Sequence, residues 1–142
     1  MKKLTTLFLL ALLPLMVNSA TLIDGINYVL NTSTKEAMVT SSYPYYTGSV
    51  TIPSTVTYDG ITYSVTSIGS YAFNYCTDLT AVTIPKSVTS IGSFVFNYCS
   101  KLNSITVESG NPQYDSRDNC NAIIETASNK LIIGCNGTVI PN

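Results

Sequence analysis

The sequence predicts a mainly β leucine-rich-repeat type of solenoid with 23-residue coils, each containing a short helical or 3₁₀ turn. Three observations predict it: an internal repeat, an alternation of apolar residues that ends at proline, and a Phe-x-x-Cys spacing that recurs with the repeat. A chain of 142 residues makes one modest domain and leaves no room for a second, catalytic one.

The internal repeat is the strongest signal. Residues 65–76 and 88–99 are identical at ten of twelve positions, so Val65 and Val88 begin equivalent segments with a 23-residue offset. This period, together with the pattern Leu79-x-x-Val82-x-Ile84, lies in the range of leucine-rich repeats, in which one short strand per coil stacks beside the next. A single coil cannot bury its own apolar face, so we expect adjacent coils to share stability.

The pattern also predicts which side chains form the core. Alternation along the strand places Val82 and Ile84 on the inner face, and Pro85 ends the strand because it has no N–H. A helical or 3₁₀ turn would put the Phe and Cys of each coil on the same inner face, and Gly92 would permit a tight bend. The predicted core positions are Ile68, Phe73, Cys76, Leu79, Val82, Ile84, Ile91, Phe96, Cys99, Leu102, Ile105 and Val107.

A secretory signal peptide is predicted for residues 1–20. Two lysines precede an apolar run at residues 7–17, which ends in small residues around Ala20. A membrane span needs about 20 apolar residues, and Pro14 interrupts this shorter run. We therefore expect export to the outside of the cell or the cell surface, with no stable membrane anchor after the leader is removed.

The composition excludes several function classes. There is no His, so the commonest general base and the commonest zinc ligand are both absent. The net charge is −1, and loss of Lys2 and Lys3 with the leader leaves five basic against eight acidic residues. This is the wrong sign for a phosphate-binding surface. We expect no enzymatic activity, no cofactor, no metal and no nucleic-acid partner.

The carboxylates and cysteines do not change this expectation. Asp115, Asp118 and Glu125 lack the spacing of a calcium loop or a glycosidase pair and are interpreted as part of a solvated loop. The four cysteines lack a C-x-x-C spacing, which disfavours zinc.

Two cysteine pairings remain open from the spacing. Cys76 and Cys99 occupy equivalent positions in adjacent coils, where buried free thiols are favoured over a disulfide. A two-residue loop at Ser128-Asn129 would set Cys135 opposite Ala122, so that Cys120 misses Cys135 by one diagonal step. A disulfide between these two remains the less favoured alternative.

Two surfaces are candidates for binding. The outer strand face carries small, uncharged residues: Ala81, Thr83, Ser104 and Thr106. The segment Tyr43-Pro-Tyr45-Tyr46 offers rigid aromatic side chains of the kind enriched at interfaces. The alternatives are an ordinary solvated sheet for the first surface and, for the tyrosines, rings that cover the open N-terminal edge of the solenoid.

At residues 65–107 the sequence resembles the BspA-like leucine-rich repeat family, whose unit has the form Leu-x-x-Val/Ile-x-Ile-Pro-x-x-Val-x-x-Ile-Gly-x-x-Ala-Phe-x-x-Cys. The resemblance implies that residues 21–64 form an N-terminal β-hairpin cap and a degenerate first repeat, with a second hairpin turning at Asp59-Gly60. Leucine-rich repeats then occupy residues 65–142, the last one incomplete. A longer hairpin-bearing unit is implied after residue 111.

Members of this family are secreted or surface proteins, and the better-known ones bind host proteins or mediate adhesion. The resemblance therefore implies a non-catalytic interaction or adhesion module whose partner is an extracellular protein or a cell-surface polymer, such as host matrix or other cells. Two alternatives remain. One is a structural unit that self-assembles end to end, and the other is a fragment of a longer surface adhesin.

Overall fold

The computed structural model describes residues 19–140, which are mainly β as the sequence predicts. The leader predicted for residues 1–20 lies almost entirely outside this range. The elements in chain order are β1 (Thr21–Ile23), β2 (Ile26–Asn31), β3 (Glu36–Val39), β4 (Gly48–Thr51), β5 (Thr55–Tyr58), β6 (Ile61–Ile68), β7 (Leu79–Ile84), β8 (Ser90–Ile91), β9 (Ser104–Val107), β10 (Tyr114–Asp115), the 3₁₀ helix η1 (Arg117–Asn119), β11 (Ala122–Glu125) and β12 (Lys130–Gly134). None of the helical structure in residues 19–140 is long and apolar enough to cross a membrane.

The first sheet joins the N-terminal strands to the repeats. Strands β1, β2 and β3 form an antiparallel meander, and β3 continues in parallel with β6. Strand β5 pairs antiparallel with β6 across a two-residue turn at Asp59 and Gly60, whose φ angles of 48° and 74° are those of a type I′ turn. Strand β8 is parallel to the end of β6, where Ser67 pairs with Ser90.

The second sheet is the parallel array β4, β7 and β9. Ala81 of β7 pairs with Ser104 of β9, one repeat period later in the chain. Ser49 of β4 pairs with the same Ala81 across a longer stretch of chain, because the hairpin of β5 and β6 is inserted in the first coil. In each of the two later strands the chain buries alternate apolar residues, such as Val82 and Ile105.

The predicted helical or 3₁₀ turn after each Ile-Gly is wrong. Residues 70–75 and 93–98 form successive hydrogen-bonded turns in which Tyr71, Tyr75 and their counterparts have positive φ. Alternate N–H groups point to the next coil, and the Phe73 N–H donates to the Val95 carbonyl at 3.0 Å. A helix is therefore not formed, since these donors are used between coils instead of along the chain.

Gly92 is required because two coils approach each other closely at this position. The tight bend that the sequence predicts there is not the reason for the glycine. A Cβ atom at Gly92 would collide with the backbone nitrogen of Ser70 in the preceding coil. Gly92 does not have the positive φ that favours glycine in a turn. The glycine of the Ile-Gly-Ser repeat therefore sets how closely two coils stack.

The core follows the predicted positions closely in the first coil, which contains Phe73, and less closely in the second coil, which contains Phe96. Ile68, Phe73, Cys76, Leu79, Val82 and Ile84 are buried, as are Leu102, Ile105 and Val107. Three predicted core residues, Ile91, Phe96 and Cys99, are only partly buried. Within residues 19–140 no third turn stacks on Phe96, and a cavity of about 250 Å³ lies beside it instead.

The C-terminal unit is the antiparallel sheet β10, β11 and β12. Glu125 pairs with Lys130 across a four-residue loop, and a β-bulge after Ile123 shifts the register so that Ala122 pairs with Gly134. The expected two-residue loop with Cys135 opposite Ala122 is therefore wrong. Side-chain hydrogen bonds from Ser128 to Glu125 and from Arg117 to Asn129 hold the longer loop.

A buried amide fastens this unit to the repeats. The Asn111 Nδ2 donates to the carbonyl oxygens of Pro85 at 3.2 Å and Val88 at 2.7 Å. Its Oδ1 accepts the N–H groups of Gln113 and Tyr114, each at 2.8 Å. Asn111 is the one buried amide side chain among residues 19–140, and no motif in the sequence marks it.

We expect Phe73→Ala to destabilise the protein by about 3–5 kcal/mol, the usual effect of truncating a fully buried Phe. Phe96→Ala should have a smaller effect because Phe96 is only partly buried. Thr106→Ala, on the exposed strand face, is the control and should stay within about 0.5 kcal/mol. Chemical denaturation measures all three, and a wild-type midpoint for Phe73→Ala would contradict the inward placement of this ring.

We expect Asn111→Ala to lower the free energy of unfolding by at least about 1–3 kcal/mol, because the backbone groups that bond to the Asn111 amide would lose their hydrogen-bond partner. Asn111→Asp should lose at least as much, since a carboxylate would face the Pro85 and Val88 carbonyls. Asn103→Ala, at an exposed position, serves as the control. A wild-type denaturation midpoint for Asn111→Ala would show that the amide does not hold the C-terminal unit in place.

Candidate functional site

The outer face of the parallel sheet carries two rows of small side chains. The strand register aligns Ser49, Ala81 and Ser104 in one row and Thr51, Thr83 and Thr106 in the other. Ser49, Thr51 and Thr106 are exposed, whereas the other three are half-buried. Ser49 and Thr51 are absent from the predicted face, although the match of residues 49–53 to residues 81–85 contains the signal that places them there.

The tyrosine segment divides into two exposed rings and one buried ring. Tyr43 is 89% exposed and Tyr45 is 50% exposed, and their rings meet edge to face at 5.9 Å. Tyr46 is only 6% exposed, so its predicted place in a binding surface is wrong.

Tyr46 is instead part of the N-terminal core. Its ring packs against Phe73 with centroids 4.9 Å apart. Its hydroxyl accepts the Asn27 N–H at 2.9 Å and donates to the Thr40 carbonyl at 2.8 Å. Burial raises the pKa of the Tyr46 hydroxyl, which keeps it a neutral donor. This ring covers the first coil, as the alternative interpretation of the segment expects.

A cavity of about 710 Å³ connects the two candidate surfaces. It lies between the turn of β1 and β2, the tyrosine segment and strand β4. Its lining includes Tyr43 and Tyr45 of the tyrosine segment and Ser49 and Thr51 of β4, and Asp24 is the only charged residue in the lining. The strand face and the exposed tyrosines therefore meet at this cavity, which we call the N-terminal cleft.

The carboxylates of the C-terminal unit are engaged in structural contacts. Asp115 accepts hydrogen bonds from the Arg117 Nε at 2.8 Å and Nη2 at 2.6 Å, and from the Thr126 hydroxyl at 2.9 Å. The Arg117 guanidinium lowers the pKa of Asp115 to about 2. Residues 19–140 contain no cluster of three or more His, Cys, Asp or Glu side chains suited to a metal ion.

The cysteines of the described range are all free thiols. The Cys99 thiol donates to the Phe73 carbonyl at 3.0 Å, and the Cys135 thiol donates to the Asn121 carbonyl at 3.2 Å. Burial raises the pKa of Cys99 to about 11. Such a thiol is a poor nucleophile at neutral pH because little thiolate is present.

Comparison with family models gives one match. Residues 48–123 match the model described as the BspA type leucine rich repeat region (6 copies). This match confirms the resemblance that residues 65–107 carry in the sequence. No curated protein is a significant match to the chain.

Three solved structures illustrate what the chain is similar to. A leucine rich cell surface protein from Faecalibacterium prausnitzii is 32% identical with a TM-score of 0.55, over 66% of this chain and 24% of that one. A leucine-rich repeat protein from Bacteroides ovatus is 35% identical with a TM-score of 0.55, over 63% and 24%. One from Bacteroides capillosus is 30% identical with a TM-score of 0.56, over 63% and 66%. The chain thus matches about a quarter of the length of the first two.

The Asp115 ion pair predicts acid sensitivity. The pKa of Asp115 in the folded protein is about 2, below its usual value of 3.8. The ionised carboxylate therefore contributes its full stabilisation at pH values above 3.8, and this contribution is lost as the pH falls through about 2. We expect Asp115→Asn to show a smaller decrease in unfolding free energy between pH 5 and pH 2 than wild type does. Asp118→Asn, at an exposed position, is the control, and an unchanged acid profile for Asp115→Asn would contradict this role.

Proposed function

Because the chain belongs to the BspA-type leucine-rich repeat family, we propose that it is a non-catalytic module that binds another protein or a cell-surface polymer outside the cell. The observation that carries the proposal is the N-terminal cleft, where two exposed tyrosines stand beside a flat strand face of small hydroxylic residues. A surface location is supported by the predicted leader and by the F. prausnitzii protein of similar structure, which is a cell surface protein.

The exposure of Tyr43 is the unusual feature, because it is the most exposed aromatic side chain among residues 19–140. Tyr43 leaves most of its ring in water next to a ring that is half exposed, although Tyr46 in the same segment is buried. Tyrosine supplies a large, rigid contact area and a hydroxyl at low entropic cost, which is why it is enriched at binding hot spots. Two such rings on the rim of a cavity therefore favour a recognition role over a purely covering one.

The charge of the surface restricts the partner. Asp24 is the only charged residue lining the N-terminal cleft, and the strand face has none. A surface without cations has no means to attract an anionic ligand. An uncharged polymer such as a glycan, or a neutral to basic protein surface, is complementary to it, and adhesion to host matrix or to other cells is the role that uses such partners.

A non-catalytic role is supported by how the reactive groups are used. Asp115 is held in an ion pair with Arg117, and burial makes the Cys99 thiol a poor nucleophile at neutral pH. The residues that line the N-terminal cleft include one carboxylate, Asp24, and no cysteine. General acid–base or nucleophilic catalysis needs at least two groups in defined geometry, which this cleft does not offer.

The experiment is an array of extracellular matrix proteins and glycans probed with purified protein and with the double variant Tyr43→Ala/Tyr45→Ala. We expect the double variant to bind its partner at least about tenfold more weakly, since truncating a hot-spot residue removes about 2 kcal/mol or more. Tyr58→Ala is the matched control, because Tyr58 is 42% exposed and does not line the N-terminal cleft. The proposal fails if the folded protein binds nothing on the array or if the double variant binds like wild type.

End-to-end assembly remains the second candidate, and the last turn favours it. The N–H groups of Phe94, Phe96 and Tyr98, whose counterparts in the first coil bond to the next coil, have no backbone acceptor within residues 19–140. Phe94 and Tyr98 are also 62% and 59% exposed. Light scattering of the array sample distinguishes the candidates: a concentration-dependent increase in mass favours assembly, and a constant monomer mass excludes it.

A further inference from the structure

The two edge strands of the parallel sheet differ in how their outward backbone groups are covered. Strand order β4, β7, β9 leaves β4 at the N-terminal edge and β9 at the C-terminal edge. An open strand edge presents unpaired N–H and C=O groups to which another strand can add. How each edge is covered therefore decides where strand addition is possible.

The C-terminal edge is blocked by one side chain. The Val107 N–H, which points away from β7, donates to the Ser116 Oγ at 3.0 Å. The Ser116 hydroxyl donates to the Ala122 carbonyl at 2.7 Å and lies 3.4 Å from the Ile105 carbonyl oxygen. Ser116 thus occupies the outward N–H of Val107 and lies beside the Ile105 carbonyl, where another strand would have to pair.

The N-terminal edge has no such cover within residues 19–140. The Gly48 N–H donates to the Asp78 carbonyl at 2.8 Å and the Ile52 N–H donates to the Thr83 carbonyl at 3.0 Å, so alternate residues of this segment face β7. Because backbone groups alternate in direction along a strand, those of Ser49 and Thr51 point away from it. Among the described strands β4 pairs with β7 alone.

The N-terminal cleft runs along this open edge. Ser49, Val50 and Thr51 all line it, although consecutive side chains of a strand point to opposite faces. A cavity that contacts all three therefore reaches the edge of the strand as well as its outer face. Val50 is only partly buried, whereas its paired counterpart Val82 is 1% exposed. The edge therefore has both free hydrogen-bonding groups and an incompletely covered apolar side chain.

We propose that β4 is a strand-addition site, at which an extended segment of a partner protein pairs with the outward backbone groups of Ser49 and Thr51. This inference rests on the proposed function and specifies how the partner is held. Main-chain hydrogen bonds give such complexes their affinity, and alternate side chains give them specificity. One face of the added strand covers Val50, and Tyr43 and Tyr45, which line the same cleft, contact the added strand.

The chemistry of the occupant follows from the lining. A four-residue strand spans about 13 Å, which suits a short extended segment. Asp24 supplies the only charge, so a neutral or basic segment is favoured over an acidic one. Alternating apolar and hydroxylic residues fit best, because the segment that β4 already accepts on its other side, Ala81-Val82-Thr83-Ile84, has that pattern.

The probe is an acetylated and amidated peptide with the sequence of residues 80–84, Thr-Ala-Val-Thr-Ile, flanked by lysines. We expect it to slow amide hydrogen exchange at Ser49 and Thr51 and to shift their NMR signals, with β9 unaffected. The same peptide with an N-methyl group on every backbone amide is the matched control and should produce neither effect, because it cannot donate to the edge from either side.

Thr51→Pro tests the same contact from the protein side. Proline removes an N–H that has no hydrogen-bond partner within residues 19–140, and proline is tolerated at an edge strand. Thr51→Ala keeps the N–H and controls for the lost side chain. We expect Thr51→Pro to bind the peptide about tenfold more weakly and Thr51→Ala to bind nearly like wild type. If Thr51→Pro does not fold, the exchange measurement on the wild-type protein decides alone.

Several outcomes would overturn the inference: no protection of the β4 amides at millimolar peptide, equal effects of the N-methylated peptide, or a dimer of the protein formed through β4 in the absence of peptide. Glycan binding at the cleft that leaves amide exchange in β4 unchanged would also overturn it. The array separates this failure from that of the proposed function. If an array partner binds wild type and Thr51→Pro equally, the binding module stands and only strand addition is excluded.

Discussion

The contact between successive coils is the constraint on which the rest of the structure depends. Each coil leaves one apolar face and one row of turn N–H groups incomplete, and the next coil completes both. The Phe73 and Phe96 rings stack at 5.3 Å, and the outer Tyr75 and Tyr98 rings stack at 4.6 Å. Gly92 sets the spacing that makes both contacts possible, because any side chain there would collide with the preceding coil. Stability is therefore a property of adjacent pairs of coils.

A coil at either end of such a stack lacks one neighbour, so its open side must be covered in another way. Within residues 19–140 the two sides are covered differently. At the N-terminal side the Tyr46 ring takes the place of a preceding phenylalanine by packing on Phe73, and strand β3 pairs with β6 as an earlier coil would. At the C-terminal side Asn111 and Ser116 satisfy backbone groups of the repeats with their side chains. The surfaces left open beside these solutions are where binding is proposed.

The sequence alone predicts the parts that depend on periodicity. Inward positions such as Val82 and Ile105 follow from alternation and the constant repeat offset, because equivalent residues have equivalent neighbours. The turn conformation does not follow, because its positive φ angles are stabilised by hydrogen bonds to a different coil. Phe96 matches Phe73 in sequence but has no coil stacked on its outer side within the described range.

The candidate site is harder to predict for the same reason. Tyr43, Tyr45 and Tyr46 are indistinguishable as residue types, and only the tertiary position of each decides which one is buried. The cleft itself depends on how the β1–β2 turn lies against β4, which no local pattern specifies. Ser116 and Asn111 are ordinary loop residues in the sequence, and their importance comes from the backbone groups that they reach across the fold.

The row of turn hydrogen bonds also gives the stack a direction. The backbone N–H groups of Tyr71, Phe73 and Tyr75 all donate to carbonyl groups of the C-terminal coil. Within this row the N–H groups leave partial positive charge on the C-terminal side and the carbonyl groups leave partial negative charge on the N-terminal side. A coil duplicated during evolution can therefore be inserted only in the same orientation, since a reversed one would set carbonyl against carbonyl. The stack of coils therefore has two chemically different sides, and its length can change by whole repeats without altering the chemistry of either one.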